Sequence, residues 1–291
     1  MKFLGIPIDV LSVIAGAFFG ATFRGKMTVA YQRVVLMACG LVAAVVGIFG
    51  AYDNLIIFEA DKLELGGSLL IVFALVTGTI LGGGFGLSKL LAYLGKSFSK
   101  GVVKKERDDG FRAKRLAEKN AGKTGKASLS ELPVHEISPT RFETRHVEGF
   151  VTATMLLTFG FLAVNAPFEA MTEGKMTLFY VKAAVDFVLA FALTTVYGLT
   201  VSYAAIPVAI ADIAFTIAAS GVDLAKEAEE LSPVWGQLAV ISSVIMLAAG
   251  VCLALGKKFK FENMIPSLLI PPIYYGVVDT VTKMVEKSLE K

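Results

Sequence analysis

Residues 178–199 read LFYVKAAVDFVLAFALTTVYGL. At about 1.5 Å per residue this stretch reaches about 33 Å as a helix, enough to cross a hydrocarbon core of about 30 Å. Two charges interrupt it, Lys182 and, one helical turn later, Asp186. A charged side chain at the bilayer centre costs roughly 2.5–3.5 kcal/mol on insertion scales, so such residues usually face a bundle interior or a wet cavity. Spacing of i,i+4 puts the two side chains on one face, within pairing reach. Two readings of the pair stay open. Lys182 neutralises Asp186 for insertion, or Asp186 titrates or binds a cation while Lys182 tunes it. Asp186 falls about ten residues from one end of its helix, about 15 Å deep and near the midplane.

Working outward, the whole chain has the same character. It is 291 residues long and 55% hydrophobic, with only 18% charged residues, against about 25% in soluble domains. Its mean hydropathy is +0.67. Apolar blocks at 3–23, 34–51, 66–92, 149–168, 178–199, 201–220 and 235–256 have spanning length. An eighth, 264–282, carries Pro266, Pro271 and Pro272, so it either spans with breaks or re-enters. The expected fold is an all-α membrane protein of seven to eight transmembrane helices. The alternating ten-residue strands of an outer-membrane barrel are absent from the sequence. The first block has only Lys2 before it and no small-residue cleavage site after it, so it reads as a retained helix.

Loop charges set an orientation, because Lys and Arg gather on the cytoplasmic side. Arg24, Lys26 and Arg33 follow the first span, and thirteen Lys or Arg lie between Lys96 and Arg145. Lys257, Lys258 and Lys260 follow the seventh span. The intervening loops are acidic, with Asp53, Glu59, Asp61 and Glu64, then Glu169 and Glu173, then Asp223, Glu227, Glu229 and Glu230. This alternation places the N-terminus outside in the cytoplasmic membrane. It divides the chain into a three-span part (1–95), a cytoplasmic basic loop (96–147) and a C-terminal membrane part (148–291). Lys283, Lys287 and Lys291 draw the C-terminus inward, favouring a re-entrant last segment. The basic loop reads first as a solvated face and second as a docking arm for a partner or for anionic lipid.

Two further spans carry acids, Asp9 and Asp212. Asp9 follows Pro7 and falls toward the outer boundary, where it can snorkel. Asp212 lies five residues after Pro207, whose missing N–H frees a carbonyl near Tyr203. A carboxylate with a freed carbonyl suits a proton or cation. Asn165 adds a polar group on the fourth span. The resemblance of GIPI at 5–8 to AIPV at 205–208 suggests an inverted repeat of spans 1–3 and 6–8, a common transporter plan. Gly16 and Gly20, and Gly78, Gly82 and Gly86, recur every four residues. This is the pattern of a glycine-packed bundle, within one chain or across a homodimer. Gly82, Gly83 and Gly84 also weaken the helix enough to line a cavity.

Other chemistry finds no footing. Gly122-Lys123-Thr124 lacks the earlier glycine of a phosphate loop, the position being Ala117. His135 and His146 read as ordinary loop residues, and Cys39 and Cys252 as small buried hydrophobes. No nucleophile–base grouping, metal site, cofactor motif or nucleic-acid patch appears, so the chain is not expected to be an enzyme. The leading expectation is a transporter or channel for a small solute or ion. A membrane structural or assembly subunit that docks a partner through the basic loop is the alternative.

The segments GIPIDVLSVIAGAFFG, CGLVAAVVGIFGA, GTILGGGFG, GFVTATMLLTFGFLAV, LFYVKAAVDFVLAFALTTVYGLTVSYAAIPV and FENMIPSLLIPPI resemble the YqgA/YdfK-like prokaryotic membrane proteins, a family defined by a domain of unknown function. The resemblance covers nearly the whole chain outside residues 96–145, a loop longer than the family's. It implies a multi-pass protein in which Lys182 and Asp186 match a Lys-and-Asp span. The family tends to carry Asn at the position of Asp9 and Gln at that of Asp212.

Overall fold

The computed structural model describes residues 3–24, 27–59, 62–65, 68–102, 139–220, 228–256 and 260–289. Two sequence motifs, Gly122-Lys123-Thr124 and His135, fall in 103–138 and lie outside the described residues. Ten α-helices are described: α1 (Gly5–Phe23), α2 (Val29–Leu55), α3 (Ser68–Phe85), α4 (Leu87–Val102), α5 (Pro139–Thr158), α6 (Phe161–Thr172), α7 (Thr177–Tyr197), α8 (Ala205–Ser220), α9 (Ala228–Leu255) and α10 (Ile270–Leu289). Short 3-10 segments precede α8 (Leu199–Ala204) and α10 (Phe261–Leu269). One departure from an all-α chain is a small antiparallel ribbon of β1 (Ile56–Glu59) and β2 (Lys62–Leu65), in register Ile56 to Leu65 and Glu59 to Lys62. It occupies the acidic connection after the second span.

Six helices are long and apolar enough to cross a membrane, and up to eight spans result if each of two bent pairs counts as one. Both bends occur where the sequence suggests an unbroken span. The third span folds as α3 and α4 at 56° to each other, hinged at Gly86 with φ +66°. The fourth folds as α5 and α6 at 43°, hinged at Gly160 with φ +140°. Both dihedrals lie where a Cβ is strongly disfavoured, so glycine defines each hinge. Gly86 is therefore a hinge, not a rung of a packing ladder. Gly84 has nothing within 4 Å of a notional Cβ and Gly83 only Asn263 at its limit, whereas Gly82 meets the Asn263 backbone.

Helices α1 with α7, and α2 with α9, make the two most extensive pairings, and α3 lies along the 3-10 segment before α10. A Cβ on Gly16 or Gly20 would collide with the carbonyl of Phe187 or Phe191 on α7. Gly40 and Gly250 oppose one another across α2 and α9, and Gly78 and Gly82 face Ser267 and Asn263. Helix α7 is the hub: 61% of its spanning window is buried, against 33% for α1, α2 and α8. The outer faces are apolar, with Leu11, Phe18, Phe49, Leu69, Ile80 and Ile210 all exposed. That much apolar surface would be a liability in water and is natural against lipid.

Candidate functional site

Helix α7 buries Lys182 at 2% exposure and Asp186 at 4%. The ammonium donates to Asp186 Oδ2 at 2.9 Å, as their helical spacing allows. Two other helices complete the centre. Lys182 also donates to Asp9 Oδ2 from α1, and Asp212 Oδ1 from α8 lies 3.4 Å from its Nζ. Asp9 is fully buried, not a snorkelling boundary residue, because close packing of α1 on α7 through Gly16 and Gly20 carries its first turns into the interior. Three carboxylates thus surround one ammonium, a formal charge of −2 in a closed site.

The unpaired oxygens say more. Asp9 Oδ1 and Asp212 Oδ2 are buried without a hydrogen-bond donor, while the other oxygen of each carboxyl group contacts the same Lys182 ammonium. Carboxylate oxygens only accept, so two carboxylates bond only when one carries a proton. Leaving the −2 uncompensated would cost several kcal/mol per ion in desolvation. A proton held by Asp9 and Asp212 would halve the excess charge. Among the described residues no three Asp, Glu, His or Cys side chains form a metal-holding group; the ammonium occupies the middle of this cluster.

A cavity of about 20 Å³ adjoins Lys182 and Asp186, walled by Phe159, Gly160, Ala163 and Met246. That is room for about one water. The α5–α6 break opens onto it, with the Gly160 amide donating to Ser242 Oγ at 2.8 Å and the same hydroxyl donating back to the Gly160 carbonyl at 3.1 Å. Broken backbone beside a buried charge is characteristic of transporter sites.

Among the described residues, Asn165 and Tyr203 make no hydrogen bond or ion pair to this centre. Asn165 is on α6 with a buried, unpartnered side-chain nitrogen. Tyr203 stacks on Phe98 with ring centroids 5.4 Å apart, and its carbonyl, expected to be freed by Pro207, accepts from the Ala205 amide. His146 is not a loop residue: it is fully buried on α5, its Nδ1 3.2 Å from Thr200 Oγ1. A second, larger cavity was not read from the sequence. Of about 480 Å³, it is bounded by Glu148, Thr152, Tyr197, Leu253, Phe261 and Glu262, among others. The one available signal was Glu262, an acid at the head of an apolar segment and directly after a basic one.

A bundle with six to eight spanning helices and an apolar outer face defines a multi-pass membrane protein, here with a buried ionic centre. The chain belongs to the family described as "Protein of unknown function (DUF554)", whose model matches residues 4–276. It is similar to the uncharacterized membrane protein YdfK of Bacillus subtilis (strain 168), 22% identical over 274 residues that cover 94% of this chain and 96% of that protein. No solved structure matches.

Proposed function

We propose that this protein is a transporter or channel for a small solute or ion, coupled to protons through Asp9, Lys182, Asp186 and Asp212. The observation carrying the reading is the charge imbalance of that centre, three buried carboxylates on one ammonium, with Asp9 Oδ1 and Asp212 Oδ2 left without a donor. A centre built only to hold helices together would balance its charges, since each uncompensated buried ion costs several kcal/mol. A centre that gains and loses a proton must be able to carry the imbalance. Helix breaks at Gly86 and Gly160 supply the joints that alternating exposure needs.

In this reading the N-terminus lies outside, so the mouth of the larger cavity faces the cytoplasm. Helices α1 and α8, each with a proline ahead of its acid, bring Asp9 and Asp212 to the same Lys182, a relation that an inverted repeat of spans 1–3 and 6–8 would produce. The glycine-lined contacts of α1 with α7 and α2 with α9 form the packing core of a glycine-packed bundle. The apolar faces left over are available for a homodimer within the bilayer.

Purified protein in liposomes loaded with a pH-sensitive dye tests this. Under an imposed pH gradient the wild type should conduct protons above the rate of empty liposomes. Asp212→Asn and Asp9→Asn should lower that flux at least tenfold while eluting as folded protein. Wild-type flux in both variants would sink the coupling claim.

A further inference from the structure

The larger cavity lies at the end of the bundle where α5 begins and α9 ends. It is separate from the ionic centre. Leu156 and Leu157 on α5 and Met246 on α9 border the small cavity beside Lys182, whereas the large one stops a turn away at Thr152 and Ala249. Its volume of about 480 Å³ is within the range of small-molecule sites, about 300–1,000 Å³. Most of its wall is apolar, from Leu36 on α2, Val151 on α5, Leu253 on α9 and Phe261. The polar groups are few: the carboxylates of Glu262 and Glu148, the hydroxyls of Ser88, Thr152 and Tyr197, and one ammonium, Lys260.

Glu262 is the informative one. Its residue is only 8% exposed, yet it borders the cavity. Among the described residues it makes no ion pair; the ammonium nearest in sequence, Lys260, is on an exposed residue that lines the same cavity at its rim and acts on Glu262 only through space. Buried carboxylates are rare without a cation or a full set of donors. A largely apolar chamber with two carboxylates in its wall and a single described ammonium, at its rim, favours one chemical class, a cation on an apolar body.

We infer that this cavity binds small amphipathic organic cations, with Glu262 as the counter-ion and the Leu36, Val151, Leu253 and Phe261 surfaces holding the hydrophobic part. The inference rests on the transport reading for its role, since such a cation would be the cargo, but the binding itself requires no proton coupling. A ligand seated here is one turn of α5 and α9 from the small cavity at Asp186. The apolar layer of Leu156, Leu157 and Met246 is what must part for the two sites to communicate.

Three probes of one shape separate charge from hydrophobicity: 2-phenylethylamine, the neutral 2-phenylethanol and the anionic 3-phenylpropionate. Calorimetric titration of the purified full-length protein in detergent should show saturable amine binding, with the alcohol and the acid weaker by about tenfold or more, as expected when a charge-assisted contact is lost. Glu262→Gln should bring amine affinity down to that of the alcohol and leave the alcohol unchanged. Ala92→Phe, which fills the chamber from α4, should weaken amine and alcohol together and serves if Glu262→Gln does not fold. Equal binding of amine and alcohol by the wild type, absence of saturable amine binding, or amine affinity unchanged in either variant would overturn the inference. Amine binding in a protein that conducts no protons would keep this site and remove the coupling centre. Proton flux without amine binding would do the reverse.

Discussion

Lys182 is the residue on which the centre depends. It is one cation shared by three buried carboxylates from three helices. Removing one partner of a buried ion pair typically costs about 3–5 kcal/mol, because the other charge is left stranded. Lys182→Met should therefore destabilise the protein by about that amount or more, and adding Asp186→Asn should recover part of the loss. The chain carries a single tryptophan, Trp235, which is buried against Phe168 with ring centroids 5.2 Å apart. Thermal unfolding followed by its fluorescence reads both variants, and a Lys182→Met protein as stable as wild type would show that the ammonium does not hold the centre together. At this scale the sequence was half legible. The Lys182–Asp186 pair could be read directly, because both residues share one helix and helical geometry fixes their separation. Asp9 could not be assigned, because its depth depends on how closely α1 approaches α7. That approach is a tertiary fact set by which carbonyls Gly16 and Gly20 meet.

Helices were legible as apolar blocks, and their breaks were not. The run TFGFLAV at 158–164 has no proline, and a lone glycine within an apolar helix is commonplace. Only the dihedral of Gly160 and its two bonds to Ser242 distinguish a hinge from a packing glycine. The same difficulty moved Gly86 from the packing ladder to a hinge. Pairing between helices gives a prediction of its own. At Gly16 any added side chain meets α7 backbone, which cannot swing aside. Gly16→Leu should push α1 from α7, costing at least the roughly 1–3 kcal/mol of an overpacked core and disrupting the Asp9–Lys182 contact. Gly84→Ala, on a site with open space, should change stability little. Paired melting curves test the contrast, and equal midpoints for the two variants would contradict the packing described for α1 and α7.

For the molecule as a whole, composition alone made the membrane class evident, and the family match agrees with it. Orientation rests on loop charge, from which a labelling pattern follows. In a background with Cys39 and Cys252 replaced by alanine, Lys175→Cys, on the acidic connection between α6 and α7, should react with a membrane-impermeant maleimide in intact cells. Lys100→Cys, at the end of α4, should react only after permeabilisation. The opposite pattern would invert the assignment and turn the large cavity outward. That cavity could not have been anticipated from the sequence. Its walls come from six separate segments, and Glu262 becomes notable only once the surfaces around it are known. The ionic centre and the cavity are two separate features of one bundle, with the apolar side chains of Leu156, Leu157 and Met246 between them.

The central claim is that Asp9 and Asp212 share an exchangeable proton. Infrared difference spectroscopy of the reconstituted protein, taken between alkaline and acidic buffer, observes this proton through the C=O stretch of a protonated carboxyl. The account predicts a band in the wild type that shifts in deuterated buffer and is absent from Asp212→Asn and from Asp9→Asn. A wild-type spectrum with no such band, or the same band persisting in both variants, would contradict it.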